Sequence, residues 1–480
     1  MPDLKSVKLE NEKILFTSIM QSDWIVLDSR KGNSLLMLFQ SGKSLEEQDF
    51  LSFLDKDELQ DLCEIGFVGY RTDKGDIFLN YDKEIRNKKM SLFILHLTNK
   101  CNLMCKYCFA NADSKKEKSI SNDKISKILK IIQNTDSALM TETIAIEFNS
   151  GEIFLNKKEL FYGVKNILRL FKDDKRNVNI PIQTNGTIFT KEISRFLYRY
   201  GLQISVSYDG PKEIHDKNRI FAPNIGSHEI VRRNIKKYSE YGVAVGLLST
   251  LTTPEDVVKV YEDILTLSDY IIGFKLNPIY TCGRQERIKD EDKFYHSVGL
   301  AYLEAFEKFI YHDMFNVTND KFIMPFDNMI HFIYSVLFAM NPYMCKTFPC
   351  GAGINQFTFA PDGEIYPCQE FLGKKNFSLG NINALSDLNN LPNTYDGTIL
   401  SERELCAECA ECPWFIFCRN SCVAHSINAN GNISGKIPDC EYYKVIFEFL
   451  INKISNEDKN LQIFIDKYVI SDRYNKKDLI

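Results

Sequence analysis

Nowhere in the 480 residues is there an apolar run approaching the roughly 18 that a membrane-spanning helix needs. The N-terminus, Met1-Pro2-Asp3-Leu4-Lys5, is polar and lacks the apolar stretch of a secretory signal. An excess of charge of one sign is missing too: 59 Lys and Arg stand against 64 Asp and Glu, for a net −5 at pH 7. These absences argue against a membrane partner and against nucleic acid, and they set the expected location in the cytoplasm. What is present is 44% hydrophobic and 26% charged, the balance of a soluble globular protein with a sizeable core. The length suits roughly three domains.

Cysteine is abundant, with 14 residues, and its placement matters more than its number. Cys101, Cys105 and Cys108 form one tight group. Cys345, Cys350, Cys368, Cys406, Cys409, Cys412, Cys418 and Cys422 follow within one region, then Cys440. A reducing cytosol disfavours disulfides. Spacings of two or three residues are too tight for several local disulfides, yet they let thiolates converge on one metal centre. Metal binding is the better reading.

Three regions and a tail are legible. In residues 1–88, Trp24-Ile25-Val26-Leu27 reads as a strand, Arg30 to Ser34 as a turn, and Ser34 to Phe39 as a second, edge-like strand. Ser44 looks like a helix cap, and Leu59, Leu62, Cys63 and Phe67 have helical spacing. The charged stretch Asp82–Lys89 reads as a linker. From 89 to 338 apolar strands alternate with amphipathic helices. The strands are Leu92–Thr98, Thr143–Phe148, Asn179–Gln183, Leu202–Ser207, Val243–Thr250 and Ile271–Pro278. One helix shows Ile125, Ile128, Leu129 and Ile132, and the next Leu160, Phe161, Val164, Ile167, Leu168 and Phe171. Repeated β-then-α units imply an α/β fold with a parallel sheet, here a partial (β/α)6 TIM-like barrel, whose chemistry sits after the strands. Beyond 339 periodicity gives way to Gly, Pro and Cys until a helix and tail over 447–480. A region so poor in apolar pattern calls for bound metal as its staple.

The first strand runs into Thr98-Asn99-Lys100-Cys101-Asn102-Leu103-Met104-Cys105-Lys106-Tyr107-Cys108-Phe109. Three close cysteines can hold three irons of a [4Fe–4S] cube and leave the fourth open. Zinc or a redox CxxC pair are the competing readings; zinc wants a fourth ligand, and His96 points along its strand. This loop resembles the signature of the radical S-adenosylmethionine (SAM) superfamily. Further motifs follow in family order. Phe148-Asn149-Ser150-Gly151-Glu152-Ile153 is similar to the Gly-Gly-Glu-Pro motif, with Ser150 and Ile153 as departures. Gln183-Thr184-Asn185-Gly186 is similar to the ribose-side segment, and Ser205-Val206-Ser207-Tyr208-Asp209-Gly210-Pro211 with His215, Asp216 and Arg219 to a third block. The resemblance implies that Cys101, Cys105 and Cys108 carry a catalytic cluster. It implies that Tyr107, Ser150, Gly151, Glu152, Thr184, Asn185, Ser207, Asp209 and Arg219 contact SAM. Gly151 and Glu152 would hold its amino group, through backbone and carboxylate. Ser207 and Asp209 would touch its ribose or methionine part, and Arg219 its carboxylate. The chemistry implied is reductive cleavage of SAM to a 5′-deoxyadenosyl radical that takes hydrogen from a substrate.

The later array, Gly363-x4-Cys368 and then Cys409-x2-Cys412-x5-Cys418-x3-Cys422 with Cys440, resembles the SPASM module of a subset of those enzymes. Phe357 to Gly363 reads as its hairpin, with Pro361-Asp362-Gly363 as the turn. The resemblance implies two auxiliary [4Fe–4S] clusters, one on Cys345, Cys350, Cys368 and Cys422 and one on Cys409, Cys412, Cys418 and Cys440. Two structural zinc sites are the competing reading. Cys63 reads as core packing, Cys406 as a neighbour of the array, and Cys282, after the sixth strand, as a bystander that could line the active site.

Residues 1–88 resemble in pattern the winged-helix-like domain that captures the leader of a ribosomal precursor peptide by strand addition; a structural cap on the barrel is the alternative. The combination is similar to peptide maturases such as thioether-forming sactipeptide synthases, and implies a Cys thioether at Cα or Cβ. Carbon–carbon crosslinking, epimerisation, a sulfatase-maturing (formylglycine-forming) activity and a non-catalytic iron–sulfur carrier remain open. Expected partners are a precursor peptide with its leader and an external electron donor of flavodoxin or ferredoxin type.

Overall fold

The computed structural model describes residues 4–10, 12–18, 23–40, 47–64, 90–112, 115, 118–139, 143–149, 151–174, 176–338, 345, 350–388, 391 and 404–470. The sequence-predicted linker at Asp82–Lys89, the cap at Ser44 and Phe67 lie outside these residues, as does the side chain of Cys63.

The chain opens with strands β1 (Leu4–Lys8), β2 (Lys13–Ser18) and β3 (Asp23–Asp28), an antiparallel sheet in the order β1-β2-β3. Alternation along these strands splits their side chains between two faces. Ile14, Phe16, Ile25 and Leu27 pack under helices α1 (Ser29–Gln40), α2 (Glu47–Leu51) and α3 (Lys56–Glu64). Val7, Leu9, Leu15, Trp24 and Val26 join the main core instead. Ser34 to Phe39 therefore belongs to a helix and not to the edge strand expected. Asp28 starts that helix, its carboxylate accepting from the amides of Arg30 and Lys31 at 3.0 Å each. Gly32, read as a turn residue, sits inside it because a Cβ there would meet Ile14 at 2.9 Å.

The barrel begins with β4 (Met90–His96), α4 (Asn122–Leu139), β5 (Thr143–Asn149) and α5 (Lys157–Leu170). Next come β6 (Asn177–Asn179), β7 (Ile182–Thr184), α6 (Lys191–Arg199), β8 (Ile204–Ser207) and α7 (Lys212–Asn218). A small hairpin, β9 (Ile220–Phe221) and β10 (Ile225–Gly226), leads to α8 (His228–Glu240), β11 (Val245–Leu251), α9 (Val257–Leu265) and β12 (Gly273–Pro278). Strands β4, β5, β7, β8, β11 and β12 lie side by side in chain order, every pair parallel. That is the six-unit arrangement expected. The third strand alone departs, broken into β6 and β7 at Ile180-Pro181, where proline has no N–H for the ladder. Ile125, Ile128, Leu129 and Ile132 of α4 and Leu160, Val164 and Ile167 of α5 are fully buried, whereas Leu168 is exposed.

Helices α10 (Glu291–Lys308) and α11 (Asp327–Phe338) lead to the cysteine-rich region. There β13 (Gln356–Phe359) and β14 (Glu364–Tyr366) form the expected hairpin, its turn closed by Gly363 at φ +96°. The hairpin extends the barrel sheet: β13 pairs parallel to β4, from Gln356 beside Leu92 to Phe359 beside Leu95, and β15 (Gly380–Asn381) pairs with β14. Cys409 lies on α12 (Ala407–Ala410) and Cys418 on α13 (Phe415–Cys418), Cys412 falls between them, Cys422 precedes α14 (Val423–Asn430), and α15 (Cys440–Ser455), which starts at Cys440, packs on α10 and α11. α16 (Lys459–Phe464) closes the described chain with a π-helical turn, Ile465–Val469. The N-terminal sheet docks on this assembly, Trp24 donating to the Val336 carbonyl at 2.8 Å and lying edge-on to Phe417. Among the described residues no helix is long and apolar enough to cross a membrane.

Candidate active site at the top of the barrel

The cysteine loop leaves the C-terminal end of β4 and is held from three sides. The amides of Met104 and Lys106 donate to the carbonyls of Ile220 (2.7 Å) and Asn218 (3.1 Å), at and just past the end of α7. Arg284, beyond β12, donates from its side chain to the Cys105 carbonyl at 2.8 Å and from its amide to the Cys108 carbonyl at 3.1 Å. Asn185 donates to the Cys101 sulfur at 3.6 Å and to Asn102 at 2.9 Å. Arg284 had no role in the sequence reading; its place directly after the last barrel strand was the available signal.

The three thiols sit in a small apolar nest with Leu103, Ala112 and Phe221, and all are free. Burial pushes the Cys101 thiol up to about 12, with Glu152 and the other two cysteines adding to it. Cys105 is pushed up to about 11 by the same cause. Thiols crowded and desolvated in this way lose their protons most readily to a metal centre, whose positive charge replaces them. Among the described residues no three His, Cys, Asp or Glu side chains converge on a single ion.

Gly151 follows β5 and lies against the loop: a Cβ there would come within 2.2 Å of the Lys100 carbonyl oxygen. Gly151→Ala must therefore move one loop or the other. A misplacement of about 1 Å at a reacting centre costs roughly 10²-fold. The expected result is a SAM cleavage rate about 10²-fold below wild type with the iron retained, measured as 5′-deoxyadenosine formed under dithionite. Ser150, also expected to contact SAM, lies outside the described residues.

The Glu152 carboxylate is held by protein: it accepts from Thr184 Oγ1 (2.8 Å), the Asn185 amide (2.8 Å) and the Phe154 amide (3.1 Å). Glu152 joins the loops after β5 and β7; its own amide donates to the Lys100 carbonyl at 2.9 Å and its carbonyl accepts from the Leu155 amide at 3.2 Å, while Oε2 takes only the Asn185 amide and keeps acceptor capacity. Asp209, at the end of β8, is buried with Arg219. Its Oδ1 accepts from the Thr250 amide at 2.9 Å, and its Oδ2 from Arg219 Nε at 2.9 Å and from the Tyr107 hydroxyl. Burial draws the Arg219 guanidinium down, but Asp209, Tyr107 and Cys105 together hold it above its ordinary value. Arg219 stacks over the Tyr107 ring, and its Nη groups donate to no described residue. Ser207 is half-buried at the end of β8. His215 supports the Asp209 turn, its Nδ1 accepting from the Asp209 amide at 3.2 Å; burial takes its pKa down to about 3, so it is neutral.

The later cysteines fall into two groups by mutual influence. Cys368 feels Cys422, Cys345 and Cys350. Cys409 feels Cys406, Cys418 and Cys440, and Cys440 feels Cys418 and Cys412. Cys406 acts on Cys409 and so neighbours the second group. Cys282 lies within electrostatic reach of Glu370, Lys374 and Cys108, and burial together with the carboxylate of Glu370 pushes its thiol up.

Residues 95–264 match the radical SAM superfamily, and residues 350–413 match SPASM, an iron–sulfur cluster-binding domain. The chain is a radical SAM enzyme with a SPASM domain. Its cofactors are accordingly SAM and [4Fe–4S] clusters. This radical SAM enzyme is 26% identical over 386 residues to the cysteine-type anaerobic sulfatase-maturating enzyme of Clostridium novyi, across 78% of this chain and 98% of that one. It is 24% identical over 442 residues to the radical SAM cyclopropyl synthase TigE of Paramaledivibacter caminithermalis, across 84% and 85%. The solved structure of native anSMEcpe with bound AdoMet and Cp18Cys peptide superposes with a TM-score of 0.64 at 23% identity, covering 78% of this chain and 99% of that one, which bears out the fold.

Proposed function

We propose that this radical SAM enzyme matures a ribosomally made precursor peptide, holding the leader on the N-terminal sheet and closing a Cys thioether in the barrel. The observation that carries the reading is that sheet. Both of its faces are covered, one by α1–α3 and one by the body, so among the described residues only the outer edges of β1 and β3 can pair with another strand. An extended leader needs such an edge, because backbone hydrogen bonds bind it with little demand on sequence. The relatives support action on peptides or proteins: a sulfatase-maturating enzyme and a structure with bound peptide are among them.

In this reading Cys101, Cys105 and Cys108 hold the cluster that binds SAM. Cys345, Cys350, Cys368 and Cys422 hold one auxiliary cluster, and Cys409, Cys412, Cys418 and Cys440 the other. The grouping of thiols just described supports that division. Bound and reduced, SAM supplies the carbon radical that removes a hydrogen atom from the substrate. The protein's part is to orient and to exclude water. The Nη groups of Arg219 would meet a carboxylate, the Gly151 backbone and the Glu152 carboxylate an amine, with Asn185 and Ser207 contacting the rest of the ligand. Tyr107 and Asp209 hold Arg219 in place, and Thr184 holds Glu152.

Sulfatase maturation is the second reading, supported by a match that uses 98% of the Clostridium novyi enzyme. About a fifth of this chain lies beyond that match, which covers 78% of it, and the leader reading gives the excess a task. Co-expression with the short peptide encoded in a neighbouring reading frame tests the proposal. The expected product is lighter by about 2 Da per crosslink, with the corresponding cysteines closed to alkylation. A peptide that contains no cysteine, or one that gains formylglycine, would sink the thioether.

A further inference from the structure

The interior face of β5 carries Ala145, Glu147 and Asn149, while Ile144, Ile146 and Phe148 face the helices. A carboxylate on a strand buried on both sides is expensive unless it is paired or neutral. Glu147 is neither ion-paired nor saturated. Asn149 Nδ2 and Gln183 Nε2 both donate to its Oε1, at 3.2 and 2.8 Å, and among the described residues Oε2 accepts nothing. One carboxyl oxygen is thus fixed and the other left for something inside the barrel.

The same network reaches the auxiliary domain. Asn149 Nδ2 also donates at 2.9 Å to Gln369, the residue after Cys368. Glu147 therefore lies about 7 Å down the strand from the seam between barrel and SPASM domain. The SAM-loop glycine, Gly151, is four residues on. A substrate atom lying between the SAM site and the auxiliary cysteines would sit over this carboxyl.

We propose that Glu147 is the proton acceptor of the reaction. The inference deepens the maturation reading and rests on it. For a thioether the substrate carbon loses a hydrogen atom to the SAM-derived radical. The cysteine S–H gives its proton to the Glu147 carboxylate as the C–S bond forms. The remaining electron passes to a one-electron oxidant of the iron–sulfur class. One C–H and one S–H are broken, one C–S is made, and the peptide loses two hydrogens.

The surroundings tune the group for this task. Burial lifts the Glu147 pKa to about 7, against the smaller opposing effects of the Asn149 hydrogen bond and the Lys275 charge. Lys275, on β12, is itself paired with Asp327 of α11 at 2.7 Å. His96 of β4, beside Asn149 in the ladder, is buried; burial takes it down to about 4, so it adds no charge. Gln183 on β7 and Gln369 after β14 are neutral amides. At pH 7 Glu147 is thus divided between acid and base, the condition for proton exchange with the least mismatch.

The test uses the full-length anaerobic enzyme with the co-expressed precursor peptide. Infrared difference spectra should show a carboxyl that titrates near neutrality and is lost in Glu147→Gln. In wild type the ratio of modified peptide to 5′-deoxyadenosine should rise with pH through about 7. In E147Q it should be roughly 10²-fold lower and flat with pH, with Glu147→Asp recovering part of the yield. Iron content reports whether each variant is folded. A Glu147 that titrates as an ordinary carboxyl, or an E147Q enzyme that keeps the wild-type ratio and pH profile, overturns the assignment. A wild-type enzyme that consumes SAM yet leaves the peptide at its original mass overturns the maturation reading instead. In that case the role in thioether closure falls with the reading, whatever the Glu147 band does, whereas modified peptide from wild type with an unchanged E147Q ratio overturns the Glu147 assignment alone.

Discussion

Replacing Cys101, Cys105 and Cys108 together by alanine is expected to take 5′-deoxyadenosine formation below about one thousandth of wild type while removing roughly a third of the iron. The large effect on chemistry follows from the loop's position. Its thiols lie beside Gly151, Asn185 and Arg219, the groups proposed to meet SAM. The small effect on the rest of the molecule follows from packing. The three cysteines share a minor apolar nest, whereas Cys350 and Cys368 belong to a separate cluster and Cys418 to the main core. The loop backbone keeps its ties to Asn218, Ile220 and Arg284, none of which uses sulfur. Iron analysis and chromatography of the reaction on the same sample give both readings. Turnover that survives the triple replacement would remove the basis for placing the catalytic cluster on this loop.

Where residues speak through short covalent spacing or strand period, the sequence was readable. Six parallel strands, the loop after β4 and the β13–β14 hairpin all depend on neighbours within a dozen residues. The two-group division of the later cysteines was of another kind. Cys345 and Cys422 are far apart in the chain, and only family resemblance brought them together; folding then placed both near Cys368. The readings that failed did so where tertiary contact overrode local chemistry. Gly32 and Asn33 look like a turn, but Asp28 caps a helix through them and Ile14 requires the missing Cβ. Glu147 went unnoticed although its signal was present. A charged residue inside an otherwise apolar parallel strand, Thr143-Ile144-Ala145-Ile146-Glu147-Phe148, has no cheap structural reason to be there. Lys275 on β12 carries the same signature.

Asp209→Asn should be among the most damaging single changes to stability. Asp209 is fully buried and Arg219 nearly so, with the ion pair at 2.9 Å. The asparagine keeps the shape and can still accept from the Thr250 amide. What it removes is the negative charge beside a guanidinium that stays charged at any working pH. Breaking a buried pair from one side leaves the other charge uncompensated, at a cost of about 3–5 kcal/mol. That is a large part of the total stability of an ordinary domain. The further change Arg219→Met, which removes the orphaned charge and fills its volume, should restore more than half of the loss, since an apolar pair of similar size is often as stable as the buried ions. It should not restore function, because the Nη groups proposed to meet the SAM carboxylate go with it. Denaturant unfolding of wild type, D209N and the double variant under anaerobic conditions separates the two roles. A D209N loss below about 1 kcal/mol would mean that water or a second acceptor already serves Arg219, and that its orientation toward SAM does not depend on Asp209.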